Sequence, residues 1–440
     1  MTVTLSREEL EAHWMPFTGN RQFKSEPRFM VAAKGAYYTD ADGRQIFDGL
    51  SGLWTCGAGH GREEITRAVS AQIAELDYSP GFQFGHELSF QLANKIVQLT
   101  PDGLDHVFFT DSGSETIDTA LKIARAYWRS RGQPGKSKFI GRMKGYHGVN
   151  YGGVGVGGIG FNRKMFGQTV DADHISHTLL EENRFSKGMP EAGAQLADEL
   201  EQLVMFHDAS NIAAVIVEPL AGTAGVLPPP KGYLNRLREI CDEHHILLIF
   251  DEVITGFGRM GSLTGAEEFG VTPDIMGLAK QITNGALPLG AVVVGAEIYQ
   301  TFMDNGGPEY MVEFPHGYTY SAHPVACAAG IAALDILVND KLVACVKQMA
   351  PVFEKAVHSL RGSPFVTDIR NYGLAAGISL EHYPDEPARR PFEVGLKCLQ
   401  KGFYVRWGGD TIQLAPPFIV NETQIEALIN AVGESLHELN

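Results

Sequence analysis

Ile246-Leu247-Leu248-Ile249-Phe250-Asp251-Glu252-Val253 is the stretch that decides how this chain folds. Five apolar residues closed by a carboxylate read as a buried strand whose last residue emerges at the end of a sheet. A second run, Asp274-Ile275-Met276-Gly277-Leu278, stops just short of Lys280, within Ala279-Lys280-Gln281-Ile282-Thr283-Asn284-Gly285. Working outward, His106-Val107-Phe108-Phe109 and Ala213-Ala214-Val215-Ile216-Val217 are further strand candidates. Ile117, Ala120, Leu121, Ala124 and Trp128 recur at helical spacing, and a second helix runs through Leu234–Ile240. Strands alternating with helices predict an α/β fold around a mainly parallel sheet. Beyond about residue 325 a helix and short strands (Gly377–Leu380, Gly402–Val405) predict a smaller α+β domain.

A carboxylate and a lysine delivered from the ends of two core strands suit pyridoxal phosphate. The amine of Lys280 condenses with the cofactor's aldehyde, and Asp251 holds a proton on its pyridine nitrogen, so that the ring draws electrons from the substrate. On these two residues alone, an ordinary strand-end ion pair is the alternative. Asp111-Ser112-Gly113-Ser114-Glu115 lies between a strand and a helix, where backbone N–H groups and the positive helix end can hold a dianionic phosphate. Ser112 and Ser114 add hydroxyls, and Gly113 lets the backbone approach closely. A plain serine N-cap is the competing reading.

The bulk numbers restrict the setting. The chain has 440 residues, a formal net charge of −16, 44% hydrophobic and 20% charged residues, enough for a large core and more than one domain. This acidity, with a pI near 5.4, argues against nucleic acid or an anionic membrane as partner. The acidic start, Met1 to Glu9, lacks a signal-peptide core, and no apolar run reaches membrane-span length. Five scattered cysteines (Cys56, Cys241, Cys327, Cys345, Cys398) have no zinc spacing and predict free thiols in the cytoplasm. Gly155-Val156-Gly157-Gly158-Ile159-Gly160 fits GxGxxG, but it follows a glycine-rich loop and leads into Phe161-Asn162-Arg163-Lys164. It reads as a mobile loop at an active-site entrance rather than a dinucleotide fingerprint.

Asp251-Glu252-Val253-Ile254-Thr255-Gly256-Phe257-Gly258-Arg259, then Pro273-Asp274-Ile275 leading to Lys280, then Pro288-Leu289-Gly290-Ala291, resembles the pattern of class III (ω-amino acid) aminotransferases. The likeness runs from about Trp14 to the C-terminus. It implies the PLP-dependent transferase fold type I, with residues 1–60 joining 326–440 in a small domain beside a large cofactor-binding domain at 61–325. It implies pyridoxal 5'-phosphate as cofactor and a homodimer or tetramer with active sites at the interface. It implies ring stacking by Tyr146, in Gly145-Tyr146-His147-Gly148, with Val253 on the other face, and cofactor contacts from His147 and Glu218. Thr319, in His316-Gly317-Tyr318-Thr319-Tyr320-Ser321, is implied to reach the neighbouring subunit's cofactor phosphate.

Arg406, in Val405-Arg406-Trp407-Gly408-Gly409-Asp410, falls where the family keeps a mobile carboxylate clamp, and a guanidinium fork matches a carboxylate in two bonds. After Val217-Glu218-Pro219, ornithine and 4-aminobutyrate aminotransferases carry Gln-Gly-Glu, whose glutamate masks that arginine. This chain has Leu220-Ala221-Gly222-Thr223, so pyruvate becomes the favoured acceptor. Trp54, Phe17, Phe82, Phe84 and Tyr146 are expected to line an apolar pocket for the amine donor. His13-Trp14-Met15-Pro16-Phe17 and Asp77 to His86 look most like β-alanine (ω-amino acid):pyruvate aminotransferases. A taurine–pyruvate aminotransferase, an aminomutase or a decarboxylase would share the fold. A silent cofactor-binding module or a Rossmann oxidoreductase would be readings of another class.

Overall fold

In a computed structural model describing residues 5–439, the strand Leu247–Asp251 is the middle member of a seven-stranded sheet. Of the acidic N-terminal stretch, Met1 to Thr4 lie outside the described residues. The sheet order is His106–Thr110, Gly290–Val294, Ile275–Leu278, Leu247–Asp251, Ile212–Val217, Lys138–Arg142, Ala172–Ile175. Gly290–Val294 runs antiparallel to both neighbours, and the other pairs are parallel. The four strands from Gly290–Val294 to Ile212–Val217 are buried along their whole length, which is why they read as unbroken apolar runs rather than alternating ones. Each fully buried Ile, Leu or Phe there contributes about 1.5–3 kcal/mol.

Register places the chemistry. Val217 pairs with Phe250, and Asp251 with Gly277, so the carboxyl ends of three parallel strands lie level and release Glu218, Asp251 and Lys280 at one edge. Such edges are where α/β sheets bind ligands. The helix Gly113–Ser130 lays Ile117, Ala120, Leu121, Ala124, Tyr127 and Trp128 against the sheet, and Trp128 Nε1 donates to the Ala213 carbonyl at 2.8 Å.

Two smaller four-stranded sheets flank this body. One joins Met30–Lys34, Tyr37–Asp40 and Gln45–Asp48 to Phe403–Tyr404, the last pair parallel, so the N-terminal strands recruit a partner from nearly 360 residues away, Phe47 facing Phe403. The other is antiparallel, ordered Val366–Tyr372, Ala375–Leu380, Thr411–Leu414, Arg406–Gly408. Past residue 325 there are two successive helices, Pro324–Asn339 and Leu342–His358, before any strand. The first packs on Glu63–Glu75 and Glu87–Gln98. Among the described residues no helix is long and apolar enough to cross a membrane.

One local reading changes. Lys138–Arg142, unread as a strand in the sequence, joins the main sheet, its charged ends bracketing buried Phe139, Ile140 and Gly141. The GxGxxG segment is loop only at its centre, residues 157–159: Gly155 and Val156 end the helix Tyr151–Val156, and Gly160 begins the helix Gly160–Phe166. The glycines there answer to packing, since a Cβ on Gly155 would lie 2.4 Å from Val170 Cγ2 and one on Gly158 2.3 Å from the Arg142 carbonyl.

The turn after Gln45–Asp48 is held by a buried carboxylate. Asp48 accepts from the N–H groups of Leu50 (3.0 Å) and Gly52 (2.6 Å), and its Oδ2 lies 2.7 Å from His60 Nε2. Burial pulls the His60 imidazole down, but hydrogen bonds to Asp48 and Cys56 outweigh it and raise the pKa to about 9. A raised folded-state value means a contribution that is complete below the unfolded value of about 6.5 and is lost as pH climbs through 9. The melting-temperature gap between wild type and His60→Gln should therefore shrink between pH 6.5 and 9.5, by the equivalent of about 1–3 kcal/mol after solvent screening. A gap that stays constant over that range would mean that His60 acts by packing alone.

Candidate active site

At the strand edge opens a cavity of about 420 Å³, walled by Thr55, Asp111, Ser112, Gly113, Ser114, Tyr146, His147, Gly148, Glu218, Asp251, Val253, Ile254, Ala279, Lys280, Thr283, Gly285, Leu287, Pro288 and Leu289. Nine of the residues singled out in the sequence therefore meet on one surface: Ser112, Gly113, Ser114, Tyr146, His147, Glu218, Asp251, Val253 and Lys280.

Lys280 opens a short 3-10 turn directly after the strand Ile275–Leu278, with φ of 49°. A lysine in the left-handed region costs about 1–2 kcal/mol, and its neighbours hold the turn. Gln281 Oε1 accepts from Gly57 N at 2.9 Å, and Asn284 brackets Ala58 N (2.9 Å) and the Gly59 carbonyl (2.8 Å). Burial lowers the Lys280 ammonium to about 8, with Asp251 and Glu218 opposing and Arg406 adding to the shift. Such a lysine yields its proton, and so becomes nucleophilic, much more readily than one in water.

Asp251 is fixed on both oxygens. Oδ2 lies 2.9 Å from His147 Nδ1 and Oδ1 accepts from Val253 N at 3.1 Å. Glu218 braces the neighbouring strand end: its Oε1 accepts from Tyr146 N (2.9 Å), its Oε2 from Gly222 N (3.1 Å), and its carbonyl from Arg142 Nη2 (2.8 Å). Burial raises the Glu218 carboxyl and the Tyr146 phenol alike.

Both readings of the Ser112 segment hold at once. Ser112 is the N-cap of Gly113–Ser130, its Oγ accepting from Glu115 N at 3.2 Å, and it still faces the cavity. Ser114 Oγ accepts from Val149 N at 3.1 Å. As acceptors, both hydroxyls keep their protons for a ligand. A Cβ on Gly148, at φ +91°, would lie 2.6 Å from Ser114 Oγ, and one on Gly113 2.9 Å from Val253 Cγ1, so both glycines keep the cradle open.

Other predicted residues lie elsewhere. Trp54 does not line the cavity; it is 4% exposed, packed with Leu50, Leu220 and Ile254, with the Arg259 guanidinium 5.8 Å from its ring centroid. Phe17, Phe82 and Phe84 are 75%, 53% and 70% exposed and stay off the cavity wall of their own chain. Thr319 is exposed, its carbonyl accepting from Tyr78 Oη at 3.0 Å. Arg406 sits half-buried on Arg406–Gly408, outside the wall but near enough for its charge to lower the pKa values of Lys280, Tyr146 and Tyr404. The sequence reading missed Thr55, Asp111, Gly148, Ile254, Thr283, Gly285 and Leu287 as wall residues. Their only signal was adjacency to quoted motifs. Asp111 stands out, its carboxyl pushed up to about 6 by burial and by Glu115.

The Aminotransferase class-III family profile matches residues 18–436. The chain belongs to the class-III aminotransferases. It is 61% identical over 433 residues to a beta-alanine–pyruvate aminotransferase from Pseudomonas aeruginosa, covering 98% of this chain and 97% of that protein. It is 60% identical over 436 residues to an omega-amino acid–pyruvate aminotransferase from Pseudomonas putida, covering 99% and 97%. Among solved structures, an amine transaminase from an uncultivated Pseudomonas species in its PLP-bound form superposes with a TM-score of 0.90 at 33% identity, over 97% of this chain and 99% of that one. The aminotransferase thus has the PLP-dependent transferase fold type I, and its cofactor is pyridoxal 5'-phosphate. The cavity fits that group. A helix N-terminus with two free hydroxyls suits a phosphate, the buried His147 Nε2 has no partner among the described residues, and a lysine and a carboxylate line the same cavity.

Proposed function

We propose that this aminotransferase moves the amino group of an ω-amino acid or related amine to pyruvate, leaving an aldehyde and forming alanine in two half-reactions. The observation that carries the reading is the meeting of Lys280, Asp251 and the Ser112–Ser114 helix end in one cavity, in a chain 61% identical to a beta-alanine–pyruvate aminotransferase. When bound, the cofactor supplies an aldehyde to carry the amino group and a ring that draws electrons from the substrate. Lys280 Nζ would hold the cofactor's aldehyde carbon and, as general acid/base, would move a proton from the substrate carbon bearing nitrogen to that aldehyde carbon on the other side of the nitrogen. Asp251, oriented by His147, would keep the ring nitrogen protonated. Gly113, Ser112 and Ser114 would hold the phosphate, and Tyr146 and Val253 would exclude water from the ring.

Arg406 grips the keto acid's carboxylate. In support, Gln413, the cross-strand partner of Arg406, donates through Nε2 to the Thr223 carbonyl at 2.9 Å, so position 223 adjoins the clamp strand and offers no carboxylate to mask it. The reading is tested by a panel of amine donors offered with pyruvate or 2-oxoglutarate, scored by alanine or glutamate formed; glutamate dominating would overturn it. Within that panel, Arg406→Ala should raise the apparent constant for pyruvate about 10- to 150-fold, the 1.5–3 kcal/mol of a charge-assisted contact. Half-reactions of carboxylate-free amines should be nearly spared. Thr223→Glu should weaken pyruvate use by pairing with Arg406. Equal damage to both classes by Arg406→Ala would make the arginine structural.

The active unit is a homodimer in this reading. Phe82, Phe84 and Thr319 ride on two segments that brace each other: Tyr78 Oη reaches the Thr319 carbonyl, His86 Nε2 lies 2.7 Å from the Ala322 carbonyl, and a Cβ on Gly317 would lie 2.6 Å from the Phe82 ring. Rigid, apolar and exposed, this surface suits a second copy, whose cavity it would complete. The parallel pairing of Gln45–Asp48 with Phe403–Tyr404 supports a small domain built from residues 1–60 and 326–440 beside a large one at 61–325. A cytoplasmic setting agrees with five cysteines that are all unpaired.

A further inference from the structure

Beside Arg406 lies a buried amide whose hydrogen bonding is half complete. In the antiparallel sheet that ends on Arg406–Gly408, one row of residues crosses all four strands. Arg370 pairs with Gly377, Gly377 with Gln413, and Gln413 with Arg406. Residues directly opposite each other in such a sheet put their side chains on the same face. This face covers the segment 222–225. Arg370 Nε donates to the Gly225 carbonyl at 2.8 Å, a Cβ on Gly377 would lie 2.0 Å from that carbonyl, and Gln413 Nε2 donates to the Thr223 carbonyl at 2.9 Å. Gly222 N donates in turn to Glu218 on the cavity wall. The row thus follows the segment toward the cavity, and Arg406 is its end member.

Gln413 is 1% exposed, yet its Oε1 has no partner among the described residues. The amide cannot be turned round to mend this. The Thr223 carbonyl only accepts, so the nitrogen must face it and the oxygen must point elsewhere. A buried oxygen left unpaired is costly, and something must complete it. Of its two neighbours in the row, Gly377 has no side chain, whereas Arg406 carries nothing but N–H donors. Arg370, the other guanidinium of the row, is already engaged with Gly225, Asp368 and Ser379. Half-buried Arg406 has no such partner among the described residues. Cross-strand partners stand about 4.5–5.5 Å apart at Cβ, which an arginine spans by a change of rotamer.

We propose that Gln413 is a positioning residue for the carboxylate clamp: its Oε1 accepts one Arg406 N–H and fixes the plane of the guanidinium, leaving a free edge for the keto acid. The inference rests on the reading of Arg406 as that clamp. A two-bond grip on a carboxylate uses one edge of the fork and leaves the remaining donors for support. A neutral amide orients the guanidinium without cancelling its charge, which a carboxylate at the same place would do.

The test uses the holoenzyme, with pyruvate as substrate and propionate as a carboxylate that has no keto group to accept nitrogen. Gln413→Met should raise the apparent constant for pyruvate and the Kd of propionate, read by titration calorimetry, about 5- to 20-fold, with turnover at saturating pyruvate within about threefold of wild type. Added to Arg406→Ala, the same change should move either constant by less than about twofold, because its effect passes through the arginine. An equal loss in both backgrounds would make Gln413 a packing residue and overturn the proposal, as would a Gln413→Met enzyme that binds both ligands like wild type. A crystal structure of the wild-type holoenzyme with propionate asks the same question without any variant. An Arg406 N–H donor should lie within about 3.2 Å of Gln413 Oε1, and a guanidinium that grips propionate but stands away from Gln413 overturns the proposal alone. Arg406→Ala leaving both constants unchanged would instead remove the clamp itself, and this inference with it.

Discussion

Lys280→Ala is expected to leave a folded, cofactor-loaded protein with turnover reduced by at least about 10⁴-fold, because in the proposed reaction one side chain serves both as the covalent anchor and as the proton carrier. The variant should release its cofactor on dialysis, whereas wild type treated with borohydride should retain it on the peptide bearing Lys280. Covalent cofactor kept by the borohydride-treated variant would place the anchor on another lysine. Stability should move the other way. Burial that brings the Lys280 ammonium down to about 8 costs the folded chain on the order of 3 kcal/mol at neutral pH. A depressed ammonium value means that the unfolded chain binds more protons up to about pH 10, so this cost fades as pH rises from 8. The cofactor-free variant should therefore melt no lower than cofactor-free wild type at pH 7, with the difference narrowing by pH 9.5. A lower melting point at pH 7 would show that the Lys280 side chain supports the turn rather than straining it.

Asp251→Asn is expected to cost several kcal/mol in the barrier, on the scale of about 3 kcal/mol for each proton-transfer or electrostatic term it removes. An amide keeps the size of the side chain and its contact with Val253 N, and leaves His147 one neutral partner in place of a carboxylate. What it removes is the negative charge that, in the proposed reaction, holds a proton on the ring nitrogen. The change should appear in the visible absorption of the bound cofactor as well as in the rate, and the fold should be unaffected. A variant within tenfold of wild type would sink Asp251 as the pyridine partner.

The runs around Ile249, Met276 and Val215 could be read as strands because a strand covered on both faces admits apolar side chains at every position, and that pattern is local. The same holds for the helix after Ser112, whose buried stripe repeats at 3.6 residues. Asp251 and Lys280 stood out because each directly follows such a run, so their shared edge followed from strand direction alone. The strand Lys138–Arg142 was hidden by its charged ends, although Arg142 is itself buried, donating to the Glu218 carbonyl, while Phe139 and Ile140 enter the core. The helices flanking Gly157 were hidden for another reason. Glycine's weak helix propensity was overridden by packing so close that a Cβ on Gly153 would lie 2.1 Å from the His147 carbonyl.

The sequence by itself therefore determined the α/β class and marked out the lysine, the carboxylate and the serine-capped helix end that line the cavity. Each of these is set by interactions within a few residues of chain. Tertiary structure alone decided that Phe47 pairs with Phe403, that Trp54 is a core residue, and that Phe82, Phe84 and Thr319 share an exposed surface away from their own cavity. It alone set His60 against the buried carboxylate of Asp48 and the Arg259 guanidinium against Ser51. Such contacts join residues up to hundreds of positions apart, and whether an aromatic or a thiol ends in the core, at an interface or on a cavity wall depends on what packs against it.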